Sequence, residues 1–95
     1  MNIGIKPNAE FENEDNMRLD KFLKVSRLIK RRTVANDLAS AGRVTVNDRV
    51  AKPGTQLQIG DIITFSFGEQ KTSVEVKKLL DSVRKEEAET MYQML

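Results

Sequence analysis

The sequence predicts an α+β domain in which two short N-terminal helices pack on a small antiparallel sheet. Three observations predict it. Residues 18–41 carry apolar side chains at helical spacing, residues 43–76 switch to a period of two, and Gly42 stands at the boundary. The chain has 95 residues, of which 39% are hydrophobic and 32% charged. That is room for one domain with a modest core, and too little for a deep, water-excluding catalytic cavity.

The elements follow in order. Residues 1–16, with Pro7, several Asn and the acids Glu10, Glu12, Glu14 and Asp15, show no sustained period and read as a flexible acidic extension. The folded domain is expected over residues 17–80. In the first helix, Leu19, Phe22 and Leu23 recur at i, i+3 and i+4, and Asp20 suits the positive end of the helix dipole. The second helix runs from about Arg32 to Ala41, with Val34, Leu38 and Ala41 at i, i+4 and i+7 beside Ala35 and Ala39. Thr33 is its expected N-cap and Gly42 its left-handed terminator.

Strands come next. Residues 43–46 and 49–52 form a hairpin around Asn47-Asp48, and Pro53-Gly54 breaks it. Leu57 and Ile59 precede a turn at Gly60-Asp61; residues 62–67 and 71–76 pair around Gly68-Glu69-Gln70. Four to five strands result. Residues 81–95 read as a C-terminal helix whose Met91, Met94 and Leu95 either pack on the domain, the favoured reading, or form a face for a partner. Ser82, with Lys85 and Glu86 behind it, comes close to a capping arrangement but stands one place off the ideal box.

Composition excludes whole classes of chemistry. The chain has no His and no Cys, so it has no thiolate nucleophile, no His-based triad and no usual zinc or iron–sulfur ligand set. No cofactor and no metal are expected. With no disulfide, no apolar run of spanning length and no signal-peptide core, the expectation is a cytoplasmic, non-enzymatic protein that engages no membrane.

The net charge of +2 conceals a segregation. Residues 1–16 sum to −3, residues 17–52 to +7 and residues 53–95 to −2. A block of that sign suits a polyanion, but a solvated basic face is an equal reading of charge alone. Position favours the polyanion. Lys30, Arg31, Arg32 and Thr33 stand at the start of the second helix, where the dipole disfavours each exposed cation by about 0.3–1 kcal/mol. An external phosphate reverses that sign, since backbone N–H groups and forked guanidiniums converge on it.

The same surface is expected to include Arg18, Lys21 and Lys24 on the outer face of the first helix and Arg27 in the inter-helix turn. Arg43 opens the first strand; Arg49 and Lys52 lie on its return. Together these would form a continuous basic ridge. Phe22, Phe65 and Phe67 fit core positions and Tyr92 is the only Tyr, which argues against single-strand readers built on aromatic platforms. Recognition of folded RNA by shape and backbone is the better match. Asn47 and Asp48 read as turn residues, Ser26 as a turn hydroxyl, and Glu86, Glu87 and Glu89 as a solvated face.

At this point the residues resemble a known family. R-T-V-A-N-D-L-A-S-A-G-R-V-T-V-N, residues 32–47, is similar to the centre of the S4-type RNA-binding domain. M-R-L-D-K-F-L at 17–23 and G-D-I-I at 60–63 extend the match. Ala39 and Asp48 depart from it, standing where a larger aliphatic and a Gly are usual. V-S-R-L-I-K-R-R-T at 25–33, with K-E-E-A at 85–88 and Met91-Tyr92, resembles more narrowly the stand-alone RqcP-like proteins of bacterial ribosome quality control. These are relatives of the fifteen-kilodalton heat-shock proteins.

The resemblance spans residues 17–95 and implies the S4-type (alpha-L) RNA-binding fold. It also implies binding both to the rRNA of a large ribosomal subunit obstructed by peptidyl-tRNA and to that tRNA, which it holds in position, in concert with an RqcH-type factor that adds alanine tails. Carried over by position, Arg18 and Arg32 are the foremost RNA contacts, with Lys30, Arg31 and Arg43 secondary. A monomer is expected. The alternative within the family is a heat-shock-type protein that handles obstructed subunits without tailing. A pseudouridine synthase carrying an S4 domain is set aside, because 95 residues leave no room for its catalytic part.

Overall fold

Helical spacing and period-two alternation produce the expected two regimes. The structure, a computed structural model, describes residues 16–95. The expected acidic extension therefore lies, but for Asn16, outside the described residues. Strand β1 (Met17–Arg18) leads directly into helix α1 (Leu19–Val25), and helix α2 (Arg32–Ser40) follows a short turn. Strands β2 (Val44–Val46), β3 (Arg49–Val50), β4 (Gln56–Leu57), β5 (Ile62–Phe67) and β6 (Gln70–Val76) come next. The chain closes with a single helical turn, α3 (Lys85–Ala88), a 3-10 turn (Glu89–Met91) and strand β7 (Tyr92–Met94).

One antiparallel sheet of five strands has the order β3-β2-β5-β6-β7, and β1 pairs with β4 as a separate ribbon. The inner face of the sheet presents Val44, Ile63, Phe65, Val74 and Val76, which join Leu19, Phe22, Leu23, Ala35 and Ala39 in one core. On α2 the fully packed line is Ala35 and Ala39, with Val34 and Leu38 half-buried beside it and Ala41 exposed. Small side chains there let α1 and α2 approach closely. The opposite face of the sheet is polar, as alternation requires when only one side is covered.

The turns behave as their residues predict. Gly42 takes φ +76° at the end of α2. Asn47 and Asp48 take φ 53° and 68°, the left-handed pair of a tight hairpin turn. Asp48 thus fills the place of a glycine without opening the hairpin. Asn47 is further tied down, its Oδ1 accepting from Ile62 N at 3.0 Å and its Nδ2 donating to Asp61 at 3.1 Å. Ser26 is buried and its Oγ donates to Leu23 O, the local turn role expected of it.

Three local expectations need correction. Thr33 lies inside the first turn of α2; the N-cap is Arg31, in extended conformation, and no side chain caps the helix. Ser82 does not cap α3, whose N-cap is Arg84. Phe67 is 54% exposed, although it shares strand parity with buried Phe65. Its partner on the β2 side has run out, since β2 pairs with β5 only as far as Val44↔Phe65.

The C-terminal helix is the largest difference. It is one turn long, and the chain then extends to pair with the outer edge of β6, Val76↔Tyr92 through Val74↔Met94. Lys77 N and Lys78 N both donate to Met91 O, and the Met91 side chain is fully buried. An unpaired strand edge with an apolar socket outcompetes the local helical preference of this segment. Met94 and Leu95, expected to pack, are instead 57% and 64% exposed.

Candidate nucleic-acid interface

A basic segment folding on itself must separate its like charges or supply a counter-ion. This one does both. Asp20, in the first turn of α1, is 2% exposed and sits between two arginines. Arg18 forks onto it, Nε to Oδ1 at 3.2 Å and Nη2 to Oδ2 at 3.1 Å. Arg32, from the start of α2, reaches Oδ1 with Nη2 at 3.4 Å, and Asn36 Nδ2 approaches Oδ2 at 3.5 Å. Both arginine side chains remain 49% exposed.

The anion expected at the start of α2 is therefore partly internal. Burial pushes the Asp20 carboxyl upward, but the Arg18 hydrogen bonds, the Arg32 charge and the Asn36 amide outweigh it and hold its pKa below the ordinary carboxylate value. The carboxylate stays charged and fixes two guanidiniums, each with half its surface toward solvent. Thr33 lines a shallow recess of about 260 Å³ beside them, with Asp20, Arg32, Asn36 and Asp37.

The turn between the helices holds a second group. Arg27 has φ 65°, the left-handed conformation that ends α1, and its N–H donates to Lys24 O at 3.0 Å. Lys24, Arg27 and Lys30 line a cleft of about 640 Å³ whose far wall is Asp81, Ser82, Val83 and Lys85 of the C-terminal segment. Lys21 is not part of an open outer face; it is ion-paired with Asp81 across that junction. Lys30 also lines, with Arg31, a neighbouring apolar slot.

Arg43 stands apart. It shares a recess of about 440 Å³ on the polar sheet face with Thr45, Thr64, Ser66, Lys71 and Ser73. Lys52 is exposed in the loop after β3, its N–H accepted by Thr55 Oγ1 at 2.9 Å. The ridge is thus not one line. The arginine pair, the turn cations and the sheet-face cations form three groups, and Lys30 links the turn group to Arg31.

Sequence reasoning missed Asp20 as a positioning group, along with Lys85, Lys71 and the exposure of Phe67. For Asp20 a signal existed. It is the one acid of α1, and it stands three residues before Leu23, at the edge of the apolar stripe rather than opposite it. Among the described residues no cluster of acids has the makeup of a metal site. No helix of the described residues is long and apolar enough to cross a membrane.

Known proteins resemble this chain in sequence and fold. Residues 17–63 match the S4 domain family. The RQC P-site tRNA stabilizing factor of Halalkalibacterium halodurans is 54% identical over 78 residues, 82% of this chain and 89% of that one. The chain belongs to the S4-domain family of RQC P-site tRNA stabilizing factors. The Bacillus subtilis protein of the same name is 51% identical over 83% of this chain and 92% of its own length. Among solved structures, a trimeric heat shock protein 15 from Vibrio cholerae superposes with a TM-score of 0.78, at 32% identity, covering 84% of this chain and 82% of that one. The S4 match, residues 17–63, spans the arginine pair, the inter-helix turn and the strands up to the start of β5.

Proposed function

We propose that this chain is a cytoplasmic, non-enzymatic RNA-binding factor of bacterial ribosome-associated quality control. It binds the rRNA of a large subunit obstructed by peptidyl-tRNA, holds the tRNA in place, and supports alanine tailing by an RqcH-type factor. The observation that carries this reading is the convergence of Arg18 and Arg32 on buried Asp20, in a family named for stabilizing P-site tRNA. Two guanidiniums locked in orientation offer paired donors to phosphate oxygens at little ordering cost. Arg27, Lys24, Lys30 and Arg31 extend the contact along the turn, and Arg43 and Lys52 supply further phosphate contacts. A factor of this kind positions RNA while the ribosome supplies the reaction, which agrees with a chain lacking His and Cys.

Co-sedimentation with purified large subunits at two salt concentrations tests it. Binding is expected to weaken steeply with salt, and Arg18→Ala and Arg32→Ala to reduce it at both concentrations. Binding indifferent to salt and to both arginines sinks the reading. The likeness to heat shock protein 15 supports a second reading, in which obstructed subunits are handled without tailing. Loss of alanine tails in cells deleted for this protein, restored by the wild type and not by Arg32→Ala, separates the two.

A further inference from the structure

The slot beside Lys30 and Arg31 combines features that the backbone-reading surface does not use. Its walls are Leu28, Ile29, Val34 and Phe67, and its volume is about 380 Å³, toward the lower end of the roughly 300–1,000 Å³ typical of small-ligand pockets. Ile29 is buried, and Leu28 and Val34 pack against the core, so the floor is fixed. Phe67 stands over it at 54% exposure, while Phe22 and Phe65 are at 0% and 5%. The backbone of Phe67 is held by its pairing with Gln70, which closes the β5–β6 hairpin. Lys30 and Arg31 are exposed at the rim.

An apolar slot with one aromatic wall and two cations at its mouth matches a particular chemistry. A planar base presents a π-face to Phe67, and the phosphates on either side of it meet the cations. A purely apolar protein segment would instead strip water from Lys30 and Arg31 with nothing to pair them. We propose that this slot receives one unpaired nucleobase of the bound RNA, stacked on Phe67, with its flanking phosphates on Lys30 and Arg31. The proposal rests on the RNA-binding reading and adds to it. The protein then reads one extruded nucleotide as well as backbone shape.

The chain has no Trp, so Phe67→Trp introduces a single indole at the slot. The probes are total bacterial tRNA, whose loops carry unpaired bases, and a blunt RNA duplex of similar length with none. Quenching of the indole emission by tRNA but not by the duplex is expected. Phe67→Ala is expected to weaken tRNA binding by about 5- to 100-fold and duplex binding hardly at all. Phe67→Leu keeps an apolar side chain and carries the test if the alanine variant loses its fold; it is expected to lose tRNA affinity while melting near the wild type.

Emission unchanged at saturating tRNA, or Phe67→Ala and Phe67→Leu binding like wild type while Arg32→Ala binds weakly, overturns the stacked base and leaves the RNA reading standing. A wild-type protein that binds neither RNA overturns both. Quenching by poly-glutamate but not by tRNA overturns the proposal in favour of an acidic protein partner.

Discussion

Arg32 reaches across from the start of α2 to Asp20 on α1 at 3.4 Å, so a helix–helix contact and a half-exposed guanidinium share one carboxylate. The arginine's orientation is thereby tied to the packing of the two helices.

Replacing Asp20 tests that coupling. Asp20→Asn keeps the shape but removes the charge, and is expected to cost about 1–3 kcal/mol of folding stability, read by denaturant unfolding. Affinity for a plain RNA duplex is expected to hold or rise, because the buried negative charge that offsets the two arginines is gone. Affinity for large subunits is expected to fall, because Arg18 and Arg32 lose their set positions.

Charge and geometry separate in a second pair of variants. Arg32→Ala is expected to lower the slope of log affinity against log salt by about 0.7–0.9 for each phosphate that the arginine neutralises. Arg32→Lys is expected to keep the slope near wild type and still bind more weakly, since an ammonium cannot fork between Asp20 and a phosphate.

Arg27 predicts stability and binding moving in opposite directions. Its left-handed backbone, φ 65°, costs an L-residue about 1 kcal/mol that glycine avoids. Arg27→Gly is expected to raise the melting temperature while weakening RNA binding, because a cation is removed from the turn.

Acid sensitivity follows from Asp20. Its folded-state pKa lies below the unfolded value of about 3.9, so its contribution to stability is complete above that value and is lost as pH falls through the folded pKa. With no His in the chain, stability is expected to be flat from about pH 5 to 8 and to decline below about pH 4. In Asp20→Asn that component of the acid decline is expected to be absent.

The C-terminal closure has its own test. Met91 is fully buried, and Met91→Ala is expected to destabilise by about 2–5 kcal/mol, with faster amide exchange along β6 and β7.

Much of the fold was legible because its signals are local. Gly42, the Asn47-Asp48 turn and the alternation of β5 and β6 each depend on residues near in sequence, and each stands as expected. Tyr92–Met94 became a strand because of the β6 edge, and nothing within K-E-E-A-E-T-M-Y-Q-M announces that edge. Phe67 alternates correctly, yet its neighbouring strand β2 stops pairing at Phe65, two residues earlier. In the candidate site the cations were legible from charge density at the start of a helix. Their division into groups was not, because it depends on where Asp20 and Asp81 fold back among them.

Asp20 also sets how firmly this surface holds what it meets. Two guanidiniums sharing one resident anion present, between them, a single uncompensated positive charge. An arriving phosphate competes with a carboxylate that never leaves, and on departure the arginines return to a partner already in place. Attraction for an anion is retained while the cost of letting it go is lowered.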